Sequence, residues 1–76
     1  MSNQRCLLAN DQDFLLTIFG YSLQKHFNEI YKAVDGEKAL QAVKGNPIDH
    51  FDLIILDVNM PIMDGKEACT KILEHF

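Results

Sequence analysis

The sequence predicts an α/β fold in which a parallel sheet is covered by helices. Three short apolar segments alternate with three segments of helical periodicity, and the connections between them are short. Such alternation is typical of consecutive β-α units, whose right-handed crossovers make the strands parallel. The 76 residues suffice for one small domain or for part of a larger one. Independent stability at this size is expected to be marginal.

The first β-α unit pairs a short strand with a longer helix. Arg5–Ala9 is an apolar run, RCLLA, and the polar residues Asn10 and Asp11 follow it. Residues 13 to about 27 then carry apolar side chains at helical spacing. Asp11 and Asp13 suit the start of this helix, where carboxylates meet unpaired N–H groups and the positive end of the dipole. The predicted buried face comprises Leu15, Ile18, Phe19, Ser22 and Leu23.

The second unit follows the same pattern. Residues 29–34, EIYKAV, favour a strand, and Asp35–Gly36 is a turn signal. Residues 37–44 are predicted to form a helix that ends at Gly45 and Pro47. Its predicted buried face comprises Ala39, Leu40 and Val43.

The third unit begins with Leu53–Leu56, LIIL, which is apolar on both faces. This pattern is typical of a central parallel strand covered by helices on each side. Asp64 is expected to cap the last helix, and Glu67, three residues later, fits a capping box. The predicted buried face of this helix comprises Ala68, Cys69, Ile72 and Leu73.

Composition narrows the class of function. Apolar residues make up 47% of the chain and charged residues 24%, as in ordinary globular proteins. The net charge of −4 and the scattered basic residues argue against nucleic acid or a membrane as a partner of this segment. No signal peptide or membrane span is predicted. Cys6 and Cys69 are predicted to be packed, reduced thiols, which fits the cytoplasm. The three histidines lie far apart and are expected on the surface.

Acidic residues follow two of the predicted strands. The first strand ends at Asn10 and Asp11, and the third ends at Asp57. Open parallel sheets bind ligands beyond the carboxyl ends of their strands, where the strand order reverses. If the two strands are neighbours, Asp11 and Asp57 converge, and their repulsion favours a divalent cation. Oxygen ligands without nearby cysteine or histidine indicate Mg²⁺ or Mn²⁺.

The stretch from Asp57 to Gly65, DVNMPIMDG, resembles the signature loop of receiver domains of two-component response regulators. Asn10–Asp11 after the first strand and Asp35–Gly36 before an alanine-containing helix agree with this resemblance. It covers essentially the whole chain. It implies a flavodoxin-like sheet with strand order 2-1-3-4-5. Residues 1–76 would form the N-terminal part of such a domain, truncated after its third strand-helix unit.

The resemblance also implies roles for individual residues. Asp57 corresponds to the phosphoacceptor, which receives a phosphoryl group from a histidine kinase or a histidine phosphotransfer protein. Asp11 corresponds to an acid that binds Mg²⁺, and Asn59 to a position that offers its backbone carbonyl to the metal. Asn10 stands where the family usually has a second acid, which implies weaker Mg²⁺ binding and altered dephosphorylation. The chain would therefore be a self-modifying phosphoacceptor rather than a turnover enzyme.

Receiver domains take a Ser/Thr from their fourth strand and a Lys from their fifth, so phosphorylation of this chain is expected to be impaired. The alternative is an interaction or dimerisation module that does not accept phosphate. An aspartyl phosphohydrolase is disfavoured because Asn59 stands where that mechanism needs an acid. A calcium loop is disfavoured because Pro61 and Ile62 occupy a ligand place and the glycine place.

The family strand order also predicts an assembly. Without a fourth strand, Leu53–Leu56 would present an unpaired apolar edge, which folded proteins usually avoid. We therefore expect a homodimer, formed by pairing of third strands or by exchange of an element, or else association with a complementing fragment.

Overall fold

The computed structural model describes residues 4–47 and 49–76. Its elements follow the predicted β-α alternation. They are β1 (Arg5–Ala9), α1 (Asp13–Leu23), β2 (Glu29–Ala33), α2 (Gly36–Lys44), β3 (Leu53–Leu56) and α3 (Gly65–His75). Within the described residues, no helix is both long enough and apolar enough to cross a membrane.

The sheet has the strand order β2-β1-β3, and both pairings are parallel. Ala9 at the end of β1 is level with Ala33 of β2 and with Leu56 of β3. This agrees with the first three strands of the flavodoxin-like order. β2 lies on one side of β1 and β3 lies on the other, so the strand order reverses between β1 and β3. The carboxyl ends of these two strands are therefore the expected ligand-binding edge.

Helices lie on both faces of the sheet. Successive residues of a strand point to opposite faces, so Leu7 and Ala9 face α2 and α3, whereas Leu8 faces α1. The main core lies between the sheet and α2 and α3. Its buried members are Leu7, Ala9, Ala33, Ala39, Leu40, Val43, Met60 and Ile72.

β3 is the edge strand of the described sheet, and the prediction that helices cover both its faces is wrong. Leu53 is 41% exposed and Ile55 is 36% exposed, while Ile54 and Leu56 are half-buried. The exposed pair lies on the α1 face, and α1 packs mainly on β1 and β2. An apolar pattern on both faces indicates that a strand is suited to burial. It does not show which helices or strands cover it.

α1 ends at Leu23, four residues before the predicted end near residue 27. The N–H of Phe27 donates to the Leu23 oxygen at 3.1 Å, so the chain leaves the helix through a turn. The N–H groups of Asn28 and Glu29 then donate to the Gln4 oxygen at 2.8 and 3.2 Å. These bonds fix the entry into β2 and leave no room for another helical turn.

The buried face of α1 also differs from the prediction. Leu16 and Gly20 are buried, whereas Ile18 and Phe19 are each 44% exposed. A Cβ on Gly20 would lie 2.9 Å from Lys32 Cε, so the missing side chain makes space for the stem of a lysine on β2. This contact helps to orient α1, and no sequence period could reveal it.

α3 buries Ala68 and Ile72 as predicted, but Cys69 and Leu73 are exposed. Cys69 lines an open groove together with Ile54 and Leu56 of β3. The prediction of two packed thiols is therefore correct for Cys6 and wrong for Cys69. Burial raises the pKa of the Cys6 thiol, which keeps it protonated and unreactive.

Candidate functional site

Three polar residues directly follow β1 and β3 at one edge of the sheet, and we call Asn10, Asp11 and Asp57 the acidic rim. Ala9 pairs with Leu56, and the N–H of Asp57 donates to the Ala9 oxygen at 3.0 Å. Asn10 and Asp57 are consequently level across the two strands, and Asp11 lies one residue further. The predicted convergence of strand ends is thus present in the register of the sheet.

Asn10 shapes the turn between β1 and α1. It is only 6% exposed, and its Oδ1 accepts the N–H of Gln12 at 2.9 Å. Its own N–H donates to the oxygen of Ala33 at 3.0 Å. The side-chain oxygen is therefore engaged by the backbone, while Asp11 beside it is exposed.

Asp11 does not provide the helix cap. The N-cap of α1 is Gln12, which makes no side-chain capping bond, and Asp13 is the acid in the first turn. Asp13 is therefore placed as a helix-start residue, as its position in the sequence suggested. Asp11 precedes the helix and is exposed.

The loop after Asp57 returns tightly to the end of β3. The N–H of Gly65 donates to the Val58 oxygen at 3.0 Å. A Cβ on Gly65 would collide with the carbonyl oxygen of Asp57, so glycine is required by this close approach. Asp57 itself is half-buried. The result is a carboxylate on a backbone that is held from both β1 and α3.

The same loop is tied to the start of α2. The N–H of Gly36 donates to the Met63 oxygen at 2.9 Å, and a Cβ on Gly36 would collide with that oxygen. Asp35, which is 4% exposed, caps α2 by accepting the N–H of Lys38 at 2.7 Å. The sequence indicated only a turn at Asp35–Gly36. In the structure Asp35 also caps α2, and Gly36 also holds the loop through the Met63 oxygen.

One residue of the loop has an unfavourable backbone. Ile62 has φ of 69°, and the N–H of Met63 donates to the Pro61 oxygen at 2.6 Å, which closes a three-residue γ-turn. A β-branched side chain is strained in this left-handed region. Ile62 is 76% exposed, so burial of its side chain does little to offset the backbone strain.

The remaining motif residues have distinct positions. Asn59 is exposed in the loop, between exposed Val58 and buried Met60. Asp64 caps α3 as predicted, because its Oδ1 accepts the N–H of Glu67 at 2.8 Å. The loop is therefore anchored by one buried methionine and one cap, while Asn59 remains at the surface near the acidic rim.

Comparison with known proteins identifies the family. The response regulator receiver domain model matches residues 6–76. The chain belongs to the receiver domain family. It is 33% identical over 73 residues to the alkaline phosphatase synthesis transcriptional regulatory protein PhoP of Bacillus subtilis (strain 168). That match covers 96% of this chain and 29% of PhoP, so the chain spans less than a third of that protein.

Solved receiver structures share the fold. The chemotaxis protein CheY4 of Vibrio cholerae is 29% identical, with a TM-score of 0.85 over 97% of this chain and 59% of that chain. A CheX-CheY-BeF3-Mg²⁺ complex from Borrelia burgdorferi is also 29% identical. Its TM-score is 0.77, over 95% of this chain and 54% of the chain compared. The receiver fold is thus matched over slightly more than half of each solved chain.

The chemistry of the rim can be compared with the Mg²⁺ that receiver domains generally bind. Among residues 4–47 and 49–76, no group of three or more His, Cys, Asp or Glu side chains is placed to hold a metal ion. The rim instead offers two carboxylates, those of Asp11 and Asp57. Mg²⁺ typically takes one or two carboxylates and keeps several waters, so this donor set fits it and does not fit zinc.

A cluster at the opposite end of the receiver sheet was not predicted. Tyr31, His50 and Phe51 pack with their rings edge to face, at centroid distances of 4.9 to 5.5 Å. Tyr31 donates its hydroxyl proton to Glu29 at 3.0 Å, and that bond raises the pKa of Tyr31. His50 Nε2 lies 3.1 Å from the same hydroxyl, so the prediction of a surface histidine is wrong here. No spacing in the sequence signals a contact across 19 residues.

Proposed function

We propose that this receiver domain accepts a phosphoryl group on Asp57 from a histidine kinase or a histidine phosphotransfer protein. The observation that carries the proposal is the place of Asp57 at the carboxyl end of β3, level with Asn10 at the end of β1. This is the edge at which an open parallel sheet binds its ligands. Membership of the receiver family also supports Asp57 as the phosphoacceptor, because Asp57 is the first residue of the signature loop.

The proposed step is a displacement at phosphorus. A carboxylate oxygen of Asp57 forms a bond to phosphorus while the P–N bond of a phosphohistidine breaks, and its electron pair returns to the imidazole nitrogen. The product is an acyl phosphate on Asp57. The bond from the Asp57 N–H to the Ala9 oxygen fixes the backbone that carries the attacking carboxylate, and Gly65 permits the start of α3 to approach the Asp57 carbonyl closely.

We propose Mg²⁺ as the cofactor, held by Asp11, Asp57 and the backbone carbonyl of Asn59. When bound, Mg²⁺ would offset the negative charge of the carboxylates and of the phosphoryl group. The Borrelia CheX-CheY complex contains BeF3 and Mg²⁺, which supports this choice. Asn10 contributes no negative charge and its oxygen already accepts a backbone N–H, so binding should be weak.

Phosphorylation of this chain should also be slow. No Lys, Ser or Thr directly follows any of the three described strands, whose next residues are Asn10, Val34 and Asp57. A developing negative charge on the phosphoryl group would therefore find little positive or hydrogen-bonding support from the strand ends.

Exposed apolar side chains near the acidic rim could receive the phosphate donor. Phe14 at the start of α1 is 71% exposed, and Val58 and Ile62 in the signature loop are exposed as well. Exposed apolar side chains next to polar groups are common at protein-binding surfaces. We propose that the donor protein contacts these three side chains during transfer.

The test is intact-mass measurement after incubation with a phosphorylated phosphotransfer protein or acetyl phosphate, with Mg²⁺. We expect a slow gain of one phosphoryl group that hydroxylamine removes, as an acyl phosphate requires. Asp57→Asn should abolish it, whereas Asp49→Asn, at an exposed aspartate outside the rim, should not. An equal gain in Asp57→Asn would refute the assignment. A fast, complete gain in the native chain would refute only the expected slowness.

A further inference from the structure

Ile62 is an unusual residue for the place that it occupies in the signature loop. Its φ of 69° lies in the left-handed region, which glycine and asparagine adopt readily and in which a β-branched residue is strained. In the part of the chain that the structure describes, Ile62 is also the most exposed large apolar residue, at 76%. Neither backbone preference nor packing within the domain therefore explains an isoleucine at this position.

The loop holds the strained residue from both sides. Met60 is 8% exposed and belongs to the core, and the ring of Pro61 fixes its own φ. The N–H of Met63 closes the γ-turn on the Pro61 oxygen, and the Met63 oxygen accepts the N–H of Gly36. The side chain of Ile62 is thus carried at the surface by a backbone with little freedom, so binding a partner there would cost little conformational entropy.

The position of Ile62 is set from the α2 side of the loop. Met63, the next residue, is bonded to the start of α2, and α2 packs on β1 and β2. The fourth strand of the receiver order would pair with β3 on the side away from β1. The exposure of Ile62 is therefore a property of the loop and of its contact with α2.

Ile62 is close enough to Asp57 for a docked protein to cover both. A Cβ on Gly65 would collide with the carbonyl oxygen of Asp57, so Gly65 lies against the backbone of the proposed phosphoacceptor. Ile62 precedes Gly65 by three positions, so their Cα atoms are at most about 11 Å apart. A standard protein interface covers about 800 Å² on each partner, which is a patch of about 16 Å radius. A phosphate donor centred on Asp57 therefore extends over Ile62.

We propose that Ile62 is an anchor residue for the phosphate donor, and that it inserts into an apolar recess beside the donor's phosphohistidine. This role rests on the proposed function, which requires a protein donor at Asp57. Anchor side chains fill a pocket of the partner and are most effective when they are held in the bound conformation beforehand. Strained residues persist chiefly at such functional sites. A donor without the recess would meet a fixed side chain, so Ile62 also determines specificity.

Binding of a donor to a chain that cannot be phosphorylated tests this role. Every variant carries Asp57→Asn, and calorimetry measures its dissociation constant for the phosphotransfer protein of the transfer test, in the unphosphorylated form. We expect Ile62→Asn to weaken binding by about tenfold, as the loss of one anchor side chain does. Ile62→Leu keeps the apolar bulk and should retain affinity within about threefold. Leu73→Asn, at a 66% exposed position near the end of α3, is the matched control and should not change the affinity.

Urea unfolding separates an anchor from a residue that only shapes the loop. Asparagine tolerates the left-handed region, so Ile62→Asn should unfold at a higher urea concentration than the chain with isoleucine, although it binds the donor more weakly. A purely structural residue would lose stability and affinity together, and that result would overturn the proposal. Equal affinities of the isoleucine and asparagine chains, or binding by neither, would overturn it as well. Binding that Ile62→Asn weakens, without any phosphate gain in the native chain, would support the anchor and refute only the phosphoacceptor role of Asp57.

Discussion

Ile62 combines an exposed β-branched side chain with φ of 69°. A residue in a sparsely populated backbone region costs of the order of 1–3 kcal/mol and persists only where its surroundings hold it. Here the Met63 oxygen is held by Gly36, and Met60 is buried in the core. The loop is thus fixed on either side of the strained residue.

Replacing this residue should relieve the strain. Ile62→Gly is expected to raise the free energy of unfolding by about 1 kcal/mol, because the relief exceeds the roughly 0.4–1 kcal/mol that glycine costs through the unfolded chain. Urea unfolding at fixed protein concentration measures the change. Ile62→Ala removes the same exposed surface but keeps a Cβ, and should change stability much less. Destabilisation by Ile62→Gly would show that the γ-turn is not strained.

Asn10 is the buried, uncharged residue of the acidic rim, and a charge at this position should have two opposing effects. Asn10→Asp adds a third carboxylate beside Asp11 and Asp57, and charge–charge attraction over a few ångströms should tighten Mg²⁺ binding by about tenfold. Without metal, the same buried charge should cost about 1–3 kcal/mol of stability. Calorimetric titration and urea unfolding with and without Mg²⁺ measure both effects. Mg²⁺ affinity equal to that of the native chain would mean that Asn10 does not face the metal.

At the scale of elements, α2 and α3 begin with the same device in different surroundings. Asp35 accepts the N–H of Lys38 at 2.7 Å and is 4% exposed, whereas Asp64 accepts the N–H of Glu67 at 2.8 Å and is exposed. The loss of a cap typically costs about 1 kcal/mol, and up to about 2 kcal/mol in some proteins.

These two caps form a matched pair. We expect Asp35→Ala to lower the free energy of unfolding by about 2 kcal/mol and Asp64→Ala by about 1 kcal/mol, because the capping bond of Asp35 is partly buried and that of Asp64 is exposed. Asp35→Asn and Asp64→Asn should restore most of each loss, since asparagine caps well. Equal losses from the two alanine variants would contradict a role for burial.

The elements differ in how far the sequence predicted them. The predicted strand bounds differ from the observed ones by at most one residue, because the polar residues Asn10, Asp35 and Asp57 mark the strand ends in the sequence. The buried face of α1 was wrong because its apolar residues surround the helix, so periodicity cannot select a face. The exposed members of that set are Phe14, Ile18, Phe19 and Tyr21. The rim was predictable from strand ends, but the Gly36–Met63 contact and the Tyr31 cluster depend on tertiary packing.

The whole molecule is thin, with Cα extents of 34 × 29 × 15 Å, so few side chains are far from solvent. Polar contacts at the amino ends of the strands therefore contribute to the stability of the fold. Arg5 Nε lies 3.4 Å from Glu29, which in turn accepts the hydroxyl proton of Tyr31. His50 joins this network from the segment before β3, so the contacts span the sheet.

This network predicts a loss of stability in alkaline solution. The pKa of Tyr31 is raised above its usual 10.0, mainly by the bond to Glu29, so the folded state holds the proton more tightly than the unfolded chain. The stability from this bond is present below pH 10 and is lost as pH rises through the raised pKa. Urea unfolding between about pH 8 and 11 should show a steeper decline in the native chain than in Tyr31→Phe.

Tyr21→Phe is the matched control, because Tyr21 is an exposed tyrosine on α1. Its pH profile should follow that of the native chain. Parallel profiles for the native chain and Tyr31→Phe would mean that the hydroxyl of Tyr31 is not bonded to Glu29 in solution.

The bond from the Gly36 amide to the Met63 oxygen makes one proton a reporter on the signature loop. This amide can exchange with deuterated solvent only when the loop lifts away from α2. Its exchange rate therefore measures the free energy of that single opening, separately from global unfolding. A ligand that engages the acidic rim and holds the loop closed should slow exchange at Gly36. Amides in the middle of α2, which are protected by the helix itself, should keep their rates.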